Sequence, residues 1–106
     1  MQDFIDLEGA SGASYRFRIW ASGVGHLPVA GNYVVVGKQA DGFGVEVVGI
    51  ADDLSKVRAE GSKVAAAEGA YVFTRLNVSR AIRTAEHDDL AARYSKARRM
   101  GVGKAV

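Results

Sequence analysis

The pattern of hydrophobic and polar positions divides the chain into five short extended segments and two stretches with helical spacing. Residues 15–20 alternate: Tyr15, Phe17 and Ile19 fall on one side, Arg16, Arg18 and Trp20 on the other. A period of two predicts a half-buried antiparallel strand. Residues 33–38, Tyr-Val-Val-Val-Gly-Lys, are β-branched and aromatic without clean alternation, so a strand covered on both faces is expected. Asp41-Gly42 is hairpin-turn chemistry, because glycine accepts positive φ. The next strand, 44–50, is expected to put Val45, Val47 and Gly49 on one face and Glu46, Val48 and Ile50 on the other. Residues 70–76 read as a further strand and 3–7 as a short one.

Helical spacing begins near Asp52, where Asp52 or Asp53 can cap through its carboxylate. Leu54, Val57, Gly61, Val64 and Ala65 fall on one side of a helix expected over 52–68, with a break near Gly61. The last helix is expected over 78–97, capped by Asn77, with Val78, Ala81, Ile82, Ala85 and Ala92 as its apolar stripe. Arg93 is spaced to pair with Asp89. Glu8 to Ser14 reads as a turn, and Ala21 to Gly31, which holds the only proline, as a loop. From Ser95 onward the chain is expected to fray. The short connection between 33–39 and 44–50 requires antiparallel pairing.

At 106 residues and 48% hydrophobic, the chain fits one globular domain spanning 1–106. It has no cysteine, which excludes disulfides and thiolate metal sites. No basic leader and no long apolar run is visible, so a cytoplasmic protein without a membrane segment is expected. The charge is uneven. Residues 1–69 carry 6 basic and 9 acidic groups, residues 70–106 carry 8 and 3. The basic half suits phosphate backbones, and Arg75, Arg80, Arg83, Arg98 and Arg99 are the candidate nucleic-acid contacts.

The central stretch resembles the GIY-YIG nuclease domain. Gly31-Asn32-Tyr33 is similar to the family's first triplet. Val47-Val48-Gly49, followed by Ile50-Ala51-Asp52-Asp53-Leu54, is similar to the second and the helix it opens. Arg83-Thr84-Ala85-Glu86-His87-Asp88-Asp89-Leu90 resembles the late helix that carries a glutamate. The likeness covers about residues 29–94. It implies an α+β fold: a small, mainly antiparallel sheet flanked by helices, with a ββαβα core. Residues 1–28 would add an N-terminal hairpin, and 95–106 a basic tail.

The resemblance also implies a chemistry, phosphodiester hydrolysis with one divalent metal. Of the family's reacting groups, Tyr33 and Glu86 carry over as catalytic relics expected on the same side of the sheet, with Glu86 as the metal ligand if the domain is active. The second tyrosine position holds Val47, and the arginine position holds Val57. Arg58 is next door, but one residue is a helix rotation of ~100°. The family's Pro and Asn beyond the late helix are missing. The expectation is therefore a degenerate domain with catalysis impaired or lost, which binds DNA or RNA and needs no cofactor. One alternative is an active endonuclease using Mg²⁺ or Mn²⁺. Another is a protein-interaction module or homodimer.

Each candidate has a plainer reading beside it. Tyr33 also suits a strand tyrosine packed on the sheet, and Glu86 a helix carboxylate paired with Arg83 or Arg93. Trp20 with Arg16 and Arg18 would grip a single strand or pack against a neighbour. His26 and His87 lie too far apart in sequence to suggest a shared metal.

Overall fold

The two β-branched runs pair as the antiparallel hairpin that their short connection requires. The structure is a computed structural model that describes residues 2–21, 24–40, 42–57 and 69–101. Within them the chain is α+β. The strands are β1 (Phe4–Glu8), β2 (Ser14–Trp20), β3 (Gly31–Gln39), β4 (Gly42–Ala51), β5 (Tyr71–Leu76) and β6 (Arg98–Met100). A 3₁₀ turn, Leu54–Lys56, follows β4, and one helix, α1 (Arg80–Arg93), follows β5. They form a mixed sheet in the order β1-β2-β5-β3-β4-β6. Neighbours are antiparallel except β4 and β6, which run parallel.

The β1–β2 hairpin extends the sheet beyond β5, as the alternation of 15–20 suggests. Gly42, at φ 120°, lets the chain enter β4 in a conformation that other residues rarely adopt. The register then shifts by one, with Val35 opposite Val47 but Val36 opposite Val45. Glu46 is the extra residue of this bulge. Val45 is thereby turned to the side of Val36 and Val48, not the side of Val47 that strict alternation predicts.

The sheet separates two apolar clusters. Trp20, Tyr33, Val35, Val47, Leu54, Ala70 and Val72 form one, with Ala51, Val57 and Met100 against it. Phe17, Val34, Val36, Val48 and Phe73 form the other, where Leu90, Ala91 and Tyr94 bring in α1. The helix touches β1 as well as β3 and β4, so the sheet curls around it.

Three expectations are corrected here. The helix expected from residue 52 opens as a single 3₁₀ turn, capped by Asp53 and ended by Val57. Its remainder, 58–68, with Arg58 and Gly61, lies outside the described residues, as do Asp41 and 102–106. The last helix is capped by Ser79, whose side chain accepts from Ile82 N, because the Asn77 side chain is engaged elsewhere. It ends at Arg93, and instead of fraying the chain turns and adds β6 beside β4.

The helix also turns a different face inward. Arg83, His87 and Leu90 are buried, whereas Ile82 is 53% and Val78 76% exposed. The alanines of the expected stripe offer little apolar area, whereas Arg83 reaches Val78 O and Asp52, and His87 Nε2 accepts from Arg99. No helix among the described residues is long and apolar enough to cross a membrane.

Candidate functional site

A polar residue inside a strand covered on both faces needs a partner for each hydrogen-bonding group. Asn32 is that residue. Its side chain lies on the helix side of β3, where Nδ2 donates to Arg83 O at 2.9 Å and Oδ1 accepts from Asn77 Nδ2 at 3.0 Å. Asn77 Nδ2 also donates to Glu86 Oε1 at 3.0 Å, and Arg75 Nε donates to the same oxygen at 2.7 Å. Arg83 is buried; its Nη1 donates to Val78 O at 2.9 Å and its Nη2 to Asp52 Oδ1 at 2.7 Å. One network therefore joins β3, β5, α1 and the segment after β4.

It continues toward the first hairpin. The Arg75 guanidinium lies 5.5 Å from the Tyr15 ring centre, and Tyr15 Oη donates to Asp89 Oδ2 at 2.7 Å. Ser11 also gives its backbone N–H and its hydroxyl to the Asp89 carboxylate, at 2.8 and 2.7 Å. These hydrogen bonds from Ser11 and Tyr15 hold the Asp89 carboxyl below its ordinary range, and the bond to Asp89 raises the Tyr15 phenol. Asp89 is thus anchored to the 9–13 turn, not to Arg93 as its helical spacing suggests; Arg93 lies over the Tyr94 ring.

Glu86 is paired, but with Arg75 on the neighbouring strand and not with Arg83 or Arg93. Tyr33 lies on the opposite face of the sheet, in the Trp20–Val47–Leu54 cluster. Its ring covers Gly49 directly across the β3–β4 pair, where a side chain at Gly49 would overlap it. The expectation that Tyr33 and Glu86 share a side is therefore corrected: adjacent β3 residues point oppositely, and it is Asn32 that faces the helix. Val47 is fully buried, and Val57 packs against the same cluster as Tyr33.

A divalent cation needs several oxygen ligands. Among the described residues no three carboxylate or imidazole groups gather. Glu86 Oε1 already has a guanidinium nitrogen at 2.7 Å, which would repel a second cation. These residues do not fit the metal that the resemblance implies.

The five candidate nucleic-acid arginines divide in two. Arg75 and Arg83 are tied to Glu86 and Asp52 inside the network. Arg99 pairs with Asp88 at 2.6 Å and donates from Nε to His87 Nε2 at 3.2 Å. Arg80 and Arg98 are exposed and make no ion pair among the described residues. The same holds for Arg93, the last residue of α1, and for Lys96, between α1 and β6.

The histidines are separate. His26 contacts Leu27 O and Thr74 Oγ1, whereas His87 is buried on the inward face of α1. Burial, and then the Arg99 guanidinium, lowers the His87 pKa. Its Nδ1 makes no hydrogen bond, although the Gly49 carbonyl is near enough to favour a proton on the ring. Trp20 is no open stacking platform, being 7% exposed with its Nε1–H donated to Val24 O at 2.6 Å.

Sequence reasoning missed Asn32 and His87. The signal for Asn32 was present, as an amide between apolar neighbours. His87 gave none, because its partner Arg99 lies on a strand that local pattern does not reveal. No family model, curated protein or solved structure matches this chain.

Proposed function

We propose that the chain is a GIY-YIG-like domain that has lost its reaction and retains binding to nucleic-acid phosphates. The observation that carries the loss is the closure of Glu86 by Arg75 and Asn77 on one sheet face while Tyr33 packs on the other. Tyr33, Val47 and Val57, which match the family's two tyrosines and arginine, do share one cluster, but two of the three are apolar and all are packing groups. Losing one preorganised charge-stabilising group commonly costs ~10²–10³ in rate. The hairpin of β3 and β4, with β5 on the other side of β3, supports the likeness at the level of strand order.

Binding rests on Arg93, Lys96 and Arg98, three exposed cations within six residues and without ion pairs among the described residues. They stand where α1 turns into the edge strand β6. The test has two arms. Supercoiled DNA and structured RNA, incubated with Mg²⁺ or Mn²⁺, should remain uncut. Metal-dependent cleavage that disappears in Glu86→Ala would overturn the loss of reaction.

Separately, affinity for single- or double-stranded nucleic acid should fall with salt by nearly one log unit per phosphate contacted. Replacing Arg93, Lys96 and Arg98 with Ala should flatten that slope by about 2–3. An unchanged slope, or no binding at low salt, would remove the binding half of the proposal.

A further inference from the structure

A cleft of about 470 Å³ lies on the Trp20 side of the sheet, bounded by β1, β2, β5 and the segment 24–27. Its wall is built, not draped. Trp20 Nε1–H holds Val24 O at 2.6 Å, and the His26 ring meets Trp20 edge-on at 5.2 Å. His26 Nδ1 lies 2.9 Å from Leu27 O and Nε2 lies 2.8 Å from Thr74 Oγ1. Since a carbonyl can only accept, Nδ1 carries the proton, and in the neutral ring Nε2 accepts from the Thr74 hydroxyl. The segment is thus fastened to both β2 and β5.

The lining combines two properties. Phe4, Leu27 and Leu76 are large apolar side chains left exposed around it. Exposed apolar groups scattered singly need no explanation, but their convergence on one cleft does. Beside them stands Arg18, exposed, with its guanidinium 6.0 Å from the Phe4 ring centre. Arg16 is neutralised by Asp6 through two contacts of 2.9 and 3.1 Å, whereas Arg18 makes no ion pair among the described residues. None of the described lining residues is acidic. A guanidinium fork beside an apolar wall selects a carboxylate or phosphate attached to a hydrophobic group. The volume lies in the range of small-molecule sites, roughly 300–1,000 Å³.

We propose that this cleft binds a small organic anion in which a flat aromatic ring is linked to a phosphate or carboxylate. The anion sits on Arg18, and the ring lies against Phe4, Leu27 and Leu76. The site does not depend on the cations near β6, which lie at the opposite edge of the sheet.

Trp20 is the only tryptophan, so its indole N–H gives a single signal in the ¹⁵N-labelled full chain. That signal is titrated with adenosine monophosphate, with indole-3-acetate and with inorganic phosphate. At least one ring-bearing anion should shift it saturably, and phosphate alone should not. Arg18→Met, which keeps the apolar stem of an exposed side chain, should weaken that binding about tenfold, a change of ~1.4 kcal/mol. Phe4→Ala should weaken it as well. Which of the two anions binds identifies the source, nucleotide or arene carboxylate. The proposal is overturned if neither ring-bearing anion gives a saturable shift. It is equally overturned if phosphate alone does as well, or if affinity is unchanged in Arg18→Met.

Discussion

Removing the charge of Glu86 decides whether this carboxylate ties the helix to the sheet or is held for chemistry. Glu86→Gln keeps length and shape. In the natural protein Oε1 accepts from Arg75 Nε at 2.7 Å and from Asn77 Nδ2 at 3.0 Å. The Arg75 and Glu86 side chains are 31% and 14% exposed, so solvent screens the pair only in part. A fully exposed ion pair contributes about 0–1 kcal/mol, and a hydrogen bond to a charged group about 1.5–3 kcal/mol.

Partial exposure puts the expected loss near 1.5 kcal/mol, as an order of magnitude between those limits (~1–2 kcal/mol). For a domain of this size each kcal/mol moves the melting point by roughly 4–8 °C, so Tm should fall by roughly 6–12 °C. Urea unfolding of the natural protein, Glu86→Gln, Arg75→Met and the double variant isolates the pair. A coupling energy of about 1 kcal/mol is expected. A carboxylate kept for chemistry behaves oppositely, since active-site groups are commonly held at a cost in stability and their removal stabilises. A more stable Glu86→Gln, or a coupling below about 0.5 kcal/mol, would refute the structural role.

Gly49→Ala should destabilise by at least about 1–3 kcal/mol, because the new methyl meets the Tyr33 ring in a buried cluster. Urea midpoints check this, and a loss under about 0.5 kcal/mol would mean that the ring has room to move. His87 predicts an acid-side weakening. Its folded pKa lies below the ordinary 6.5, through burial and then Arg99, so the unfolded chain takes up the proton first as pH falls. Stability should therefore be full above about 6.5 and decline below it. Unfolding curves from about pH 7 to 5 should show that decline in the natural protein and a flatter one in His87→Leu. Equal slopes in the two proteins would count against it.

Much of the sheet is legible along the chain because strand periodicity is local. Tyr15, Phe17 and Ile19 alternate with Arg16, Arg18 and Trp20, and the two sets do enter opposite faces. The β-branched run of β3 and the glycine at 42 require nothing beyond neighbouring residues to predict a hairpin. Tertiary structure decided what those periods leave open. The extra residue at Glu46 turns Val45 to the other face, and nothing in the run Val-Glu-Val-Val marks where a bulge falls.

The helix presents Arg83, His87 and Leu90 inward, although Ala81, Ile82 and Ala85 form the better apolar stripe. Alanine contributes little area, so the choice falls to the partners of Arg83 and Glu86. Those partners, Asp52 and Arg75, lie 31 and 11 residues away. The same distance in sequence hid β6, which exists only because β4 offers it an edge. It also separated Tyr33 from Glu86. Each sits where a family likeness would put it in order along the chain, but the pleat of one strand sends Tyr33 away from the helix and Asn32 toward it.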